Sequence, residues 1–180
     1  TLEMGDSQVI GNSTRNSTGT PDDVFGGGIY ALHADVHLYN VVIADNQTQN
    51  AGGGIYLEWN VDLTASSLIV ANNTVGNGLG GGLYSAWSTL EILNASFVGN
   101  VVEFANREGK GGAAYLNEGS ESECINVDFT GNAAEVSTGG VMVVDPRVNA
   151  WVTRCNAWDN GNGHFGFDLG SSHDVFAPGN

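Results

Sequence analysis

Five segments of the chain open on a glycine pair and reach an asparagine 20 or 21 residues later: Gly26 to Asn46, Gly52 to Asn73, Gly80 to Asn100, Gly111 to Asn132 and Gly139 to Asn160. A partial copy precedes them, with Leu2, Met4, Asp6, Val9 and Asn12 at the spacings found before the later asparagines, and Gly166 to Leu169 begins another. Self-similarity at this period restricts the fold to a solenoid, in which each unit buries its apolar side only by stacking on its neighbours.

The columns of the repeat say what kind of solenoid. Ten residues before each anchor asparagine stand Leu2, Val36, Leu63, Leu90, Ser122 and Ala150, and eight before it Met4, Leu38, Ala65, Ile92, Cys124 and Val152. Glu3, His37, Thr64, Glu91, Glu123 and Trp151 alternate with them, and period-two alternation marks a half-buried strand. A second inward strand is read from Val41, Leu68, Ala95, Val127 and Cys155, then Val9, Ile43, Val70, Phe97, Phe129 and Ala157. The third wall follows the glycines, with Ile29, Ile55, Leu83, Ala114, Met142 and Leu169, and after them Tyr30, Tyr56, Tyr84, Tyr115 and Val143. Three short strands per repeat predict an all-β, right-handed parallel β-helix, a three-sheet solenoid of about six coils of 27–34 residues. Helical repeats are the rival reading, and composition opposes them: 27 glycines and runs of Val, Ile, Thr, Phe and Tyr disfavour helices of ten or more residues.

Two polar columns complete the pattern. Asp6, Asn40, Ser67, Asn94, Asn126 and Arg154 lie between the two strands before each anchor, where a sharp bend calls for left-handed backbone and stacked amides can bond up the rod. The anchors Asn12, Asn46, Asn73, Asn100, Asn132 and Asn160 form the second column. The glycine pairs are expected to supply positive φ at the turn into the third wall. The longest insertions, Ser13 to Phe25 and Val101 to Lys110, should project from one edge and carry any loop-borne specificity.

Residues 1–180 read as a single β-helix domain that starts and stops within a coil, and so as a segment of a longer protein. Five Lys and Arg against 20 Asp and Glu, a net charge of −15, cannot form the basic stripe a nucleic-acid partner requires. The sequence contains no membrane span. Low lysine content and polar turns predict an extracellular or cell-surface protein. Sequons at Asn12, Asn16, Asn46, Asn72 and Asn94 agree with that location. Asn16 and Asn72 are the glycosylation candidates, since Asn12, Asn46 and Asn94 fall in the stacked columns, where an inward side chain could carry no glycan. Cys124 and Cys155 are 31 residues apart, close to one coil, but on opposite sides of the bend; two buried thiols are expected rather than a disulfide.

The repeat resembles that of the chlamydial polymorphic outer membrane proteins, whose passenger domains carry Gly-Gly-Ala-Ile and Phe-x-x-Asn motifs. Here these read Gly-Gly-Gly-Ile-Tyr at 26 and 52, Gly-Gly-Gly-Leu-Tyr at 80, Gly-Gly-Ala-Ala-Tyr at 111, Phe97-Val-Gly-Asn100 and Phe129-Thr-Gly-Asn132. The resemblance implies a pectin-lyase-like fold and an adhesive or structural role outside the cell. Such a shaft would take neighbouring coils or subunits end to end as partners, and a carbohydrate or matrix surface as ligand.

No catalytic, cofactor-binding or metal-binding residue is assigned. Gly76, Gly78 and Gly81 mimic a dinucleotide fingerprint without the helix it needs. His33, Asp35 and His37 read as a solvated strand face. A polysaccharide lyase or hydrolase on this fold is the alternative. Asp35, Asp62, Glu91, Glu121 and Glu123 point outward, Asp62 and Glu91 on adjacent coils, but the only basic neighbour for a lyase is Arg147. Outward Trp59, Trp87 and Trp151 are candidate sugar or partner contacts.

Overall fold

The structure, a computed structural model, describes residues 1–15, 24–103, 109–134, 142–144, 148–158, 160 and 167–169, with the backbone alone for 142–144 and 167–169. In chain order the strands are β1 (Leu2–Ile10); β2 (Ile29–Leu32), β3 (Asp35–Ala44) and β4 (Gln47–Thr48); β5 (Ile55–Glu58), β6 (Asp62–Ser66), β7 (Ile69–Ala71) and β8 (Thr74–Val75). They continue with β9 (Leu83–Ala86), β10 (Thr89–Val98) and β11 (Val101–Val102); β12 (Ala114–Leu116), β13 (Glu121–Thr130) and β14 (Ala133–Ala134). The last are β15 (Met142–Val144), β16 (Asn149–Thr153), β17 (Asn156–Trp158) and β18 (Phe167–Leu169). Among the described residues there is no helix, including after Gly76 to Gly81.

Every pairing is parallel and joins one coil to the next, which makes the molecule a parallel β-helix. Six rungs stack on the first wall, in the order β1, β3, β6, β10, β13, β16, with β7 and β17 continuing two of them past the bend. Six rungs also stack on the wall after the glycines, and the remaining sheet has four among the described residues, so about four turns carry described strands on all three walls where six coils are expected. The inward columns are in the anticipated register: Leu2, Val36, Leu63, Leu90, Ser122 and Ala150 pair in sequence, as do Met4, Leu38, Ala65, Ile92, Cys124 and Val152. Apart from Leu2, which is exposed in the first rung, and the buried polar Ser122, these residues and the stacked Phe97 and Phe129 form one core running along the axis.

The walls are divided differently from the sequence reading. The two strands before each anchor belong to one sheet, bent at a column of left-handed residues: Asp6, Asn40, Ser67, Asn94, Asn126 and Arg154 have φ of 49, 52, 53, 51, 56 and 53°. The strand runs unbroken through the bend where Asp or Asn occupies it and is interrupted at Ser67 and Arg154. Side-chain bonds account for part of this, since Asn40 Nδ2 donates to Asp6 Oδ1 and Asn126 Nδ2 to Asn94 Oδ1, each at 2.7 Å. The third sheet is instead built from the two-residue strands β4, β8, β11 and β14 just after the anchors, and it buries Thr48, Val75, Val102 and Ala134.

Two further differences concern the glycine wall. Phe167, not Leu169, stands opposite Met142, and Leu169 pairs with Val144. A two-residue shift leaves every side chain on its original face, so the alternating pattern does not detect it. The glycines also divide the work: only the first of each group, Gly26, Gly52, Gly80 and Gly111, has positive φ, between 63 and 68°. Those that follow are small because the neighbouring coil's backbone passes against them. A Cβ on Gly54 would stand 2.7 Å from the Gly82 carbonyl oxygen, and one on Gly82 2.5 Å from that of Ala113.

The anchor column is the main polar element of the interior. Asn46, Asn73, Asn100 and Asn132 are at most 1 % exposed. In each, backbone N–H and Nδ2 both donate to the Oδ1 of the next anchor, at 2.9–3.1 Å. The second Nδ2 proton goes back to a carbonyl of the preceding coil: Val9, Ile43, Val70 and Phe97 in turn. Asn12 donates into the column at one end and Asn160 accepts at the other. Every buried amide group is thereby satisfied, which is the condition for keeping it in an apolar core.

Candidate functional site

The corner between the glycine wall and the first wall holds an unusual set of residues. There His33, Trp59, Asn60, Trp87 and Gly119 all take left-handed backbone, with φ of 50, 57, 61, 52 and 72°. Glycine and asparagine enter that region readily; a tryptophan does so at a cost of roughly 1–2 kcal/mol. The indoles of Trp59 and Trp87 stack across neighbouring coils with centroids 5.7 Å apart and planes 3° from parallel. Trp87 lies on Gly119 on its other side, where a Cβ would meet its Cδ2 at 2.7 Å. Both rings remain 43–48 % exposed, and they border a groove of about 570 Å³ with His33, Asn60, Asp62, Thr89 and Glu121 around it.

Trp151 does not join them. It sits in mid-strand on the first wall, in register with Glu123, and is itself exposed. Trp158, which the sequence reading passed over, is also exposed, at the far end of the same sheet opposite Thr130.

The carboxylates on the first wall pair as the columns of the repeat align them. Asp35 lies directly opposite Asp62, and Glu91 opposite Glu123. Asp62 faces Thr89, so Glu91 is two residues further along the neighbouring strand and the Asp62–Glu91 pair is diagonal. His33 is not on the strand with Asp35 and His37: β3 begins at Asp35, and His33 belongs to the corner. Among the described residues no three His, Cys, Asp or Glu side chains are grouped so as to hold a metal ion. Arg147 lies outside the described residues.

On the glycine wall the tyrosines form a ladder, Tyr30, Tyr56, Tyr84 and Tyr115, at 5.3, 4.8 and 6.0 Å, with Phe25 stacked on Tyr56 at 4.7 Å. Tyr56 donates to Glu58 at 2.9 Å, and burial together with that bond raises its phenol well above the usual range. Tyr84 accepts from Asn117 Nδ2 at 2.9 Å. Tyr56, Tyr84, Tyr115 and Phe25 pack with Ala51, Leu79 and Ala86 as a second apolar cluster, a structural role, while Tyr30 at the end of the ladder is exposed.

Cys124 and Cys155 are free and buried, as the bend between them predicts. Cys155 accepts from Val127 N–H and donates toward the Cys124 and Thr153 carbonyls. Burial pushes the Cys124 thiol up to about 12 and raises that of Cys155 as well. The unfolded chain therefore loses its thiol protons first, near the ordinary value of about 8.5, and the folded state binds the extra protons. Stability is expected to fall as pH rises from about 8.5 toward 12, by up to about 1.4 kcal/mol per pH unit for Cys124. Urea midpoints at pH 7.5 and 10, compared with those of Cys124→Ala, measure it. The native thiols should also resist a disulfide reagent that labels them after unfolding.

Of the sequons, Asn46 is closed by burial and Asn72 is exposed. Asn94 is exposed too, because the bend column turns its amides to solvent rather than into the core. Asn12, at the open end of the anchor column, is also exposed, though its Nδ2 bonds Asn46. Asn16 lies outside the described residues. No helix among the described residues is long and apolar enough to cross a membrane. Comparison with protein-family models, curated proteins and solved structures finds no match to this chain.

Proposed function

We propose that the chain is a structural and adhesive segment, part of the shaft of an extracellular adhesin or surface filament. What supports the reading above all is the anchor column, a file of buried asparagines bonded head to tail along the axis from Asn12 to Asn160. Such a file stiffens the rod lengthwise and contributes nothing to a surface reaction. The Gly-Gly-x-Ile/Leu-Tyr and Phe-x-x-Asn repeats, similar to those of chlamydial passenger domains, and the acidic, lysine-poor surface point the same way.

Carbohydrate cleavage is the competing reading, favoured by the register pairs Asp35–Asp62 and Glu91–Glu123. Two measurements decide between them. Antibody against the chain should label intact source cells without permeabilisation, and the purified protein should leave polygalacturonate, alginate and neutral glucans uncut. Release of new chain ends that disappears in Asp62→Asn or Glu91→Gln would replace the shaft with an enzyme.

A further inference from the structure

We propose that the corner groove bordered by Trp59 and Trp87 is a binding site for a glycan built of non-acidic sugars, with the exposed Trp59 as its main apolar contact. This goes beyond the shaft reading and can fail without affecting it.

The two indoles form the apolar wall of the groove. Trp87 lies between Trp59 and Gly119, and Trp59 between Trp87 and His33, whose backbone N–H donates to Trp59 O at 3.0 Å. A tryptophan left 48 % exposed at the groove offers a sugar an apolar contact surface on the scale of a pyranose ring. The fold does not ask for it. The same corner is made with Asn60 beside Trp59 and with Gly119 one coil beyond Trp87, residues that enter left-handed backbone at little cost, yet tryptophan occupies it in two successive coils. Backbone strain retained where a cheaper residue would serve is a mark of sites selected for binding.

The rim chooses the ligand. A sugar ring has an apolar C–H face for the indole and a girdle of hydroxyl donors. Asp62 and Glu121 accept such donors, and Asn60, Thr89 and His33 can bond them as well. The same carboxylates, on a chain of net charge −15, repel uronates, sulfates and phosphates. Neutral or amine-bearing sugars remain.

The test reads the two corner indoles in a protein carrying Trp151→Phe and Trp158→Phe, titrated with cellohexaose, a chitosan hexamer, hexagalacturonate and hexa-arginine. Saturable change in emission with cellohexaose or the chitosan hexamer, none with hexagalacturonate, and at least tenfold weaker binding in Trp59→Ala at an unchanged urea midpoint are expected. If Trp59→Ala lowers that midpoint, Asp62→Arg takes its place and must weaken binding of the chitosan hexamer or cellohexaose by the same factor. The proposal is overturned by no saturable response to either non-acidic hexamer, by binding that survives these variants, by preference for hexagalacturonate, or by hexa-arginine binding more tightly than both sugars.

Discussion

Asn100→Ala is expected to destabilise the protein by about 4 kcal/mol or more, read as a lowered urea midpoint, although the substitution touches no exposed atom. The estimate follows from the bonds of one amide. Asn100 Oδ1 accepts the N–H and Nδ2 of Asn73, and Asn100 Nδ2 donates to Val70 O and Asn132 Oδ1. Alanine removes the acceptor for two donors of Asn73, one a backbone group, in a site that is 0 % exposed, where water cannot replace it. Each buried group left without a partner costs about 1–3 kcal/mol, and the vacated volume adds to that. Asn126→Ala is the control: its amide is exposed and among the described residues bonds Asn94, so the loss is one surface hydrogen bond plus the penalty of alanine in left-handed backbone, about 2–3 kcal/mol together. Equal losses at the two positions would mean that the interior column is not what holds the coils in file.

That contrast also shows what the residues disclose in advance. Core columns are legible because alternation is written in residue identity, and an offset of one would have put Leu38, Ile92 and Val152 outside. The bend is legible because Asn and Asp are the common non-glycine residues of left-handed backbone, and Ser67 and Arg154 then follow by register. The sheet of β4, β8, β11 and β14 is not legible, since two residues cannot alternate and its inward column mixes Thr48, Val75, Val102 and Ala134.

The corner site was hidden by the direction of counting. From the anchors backward, Trp87 aligns with Asn60, because the stretch between Glu58 and Asp62 is one residue longer than that between Ala86 and Thr89. Counted forward from the first glycine of each group, His33, Trp59 and Trp87 fall in one column. The signal was present, but only in the frame of the wall that the corner continues.

The second large effect is expected at Gly81, where alanine should cost more than about 4 kcal/mol and bring the coil stack close to the limit of a typical domain's stability. Gly81 does not have positive φ, so the usual conformational account of glycine predicts a mild change. Space predicts otherwise. A Cβ there would lie 2.5 Å from the Gly112 carbonyl oxygen of the next coil and 2.9 Å from the Val101 backbone nitrogen and carbonyl carbon. All three are main-chain atoms, which cannot swing aside as a side chain would. Relief requires the two coils to separate, and separation lengthens the bonds from Gly81 N–H to Gly111 O and from Gly82 N–H to Gly112 O, both on the same stretch of chain. Gly11→Ala provides the opposite case, with φ of 71° and nothing within 4 Å of the added carbon, and should cost only the left-handed penalty of roughly 1–2 kcal/mol. Urea titration of the two variants separates the accounts. A Gly81→Ala midpoint no lower than that of Gly11→Ala would show that the coils do not rely on backbone contact at the glycine wall.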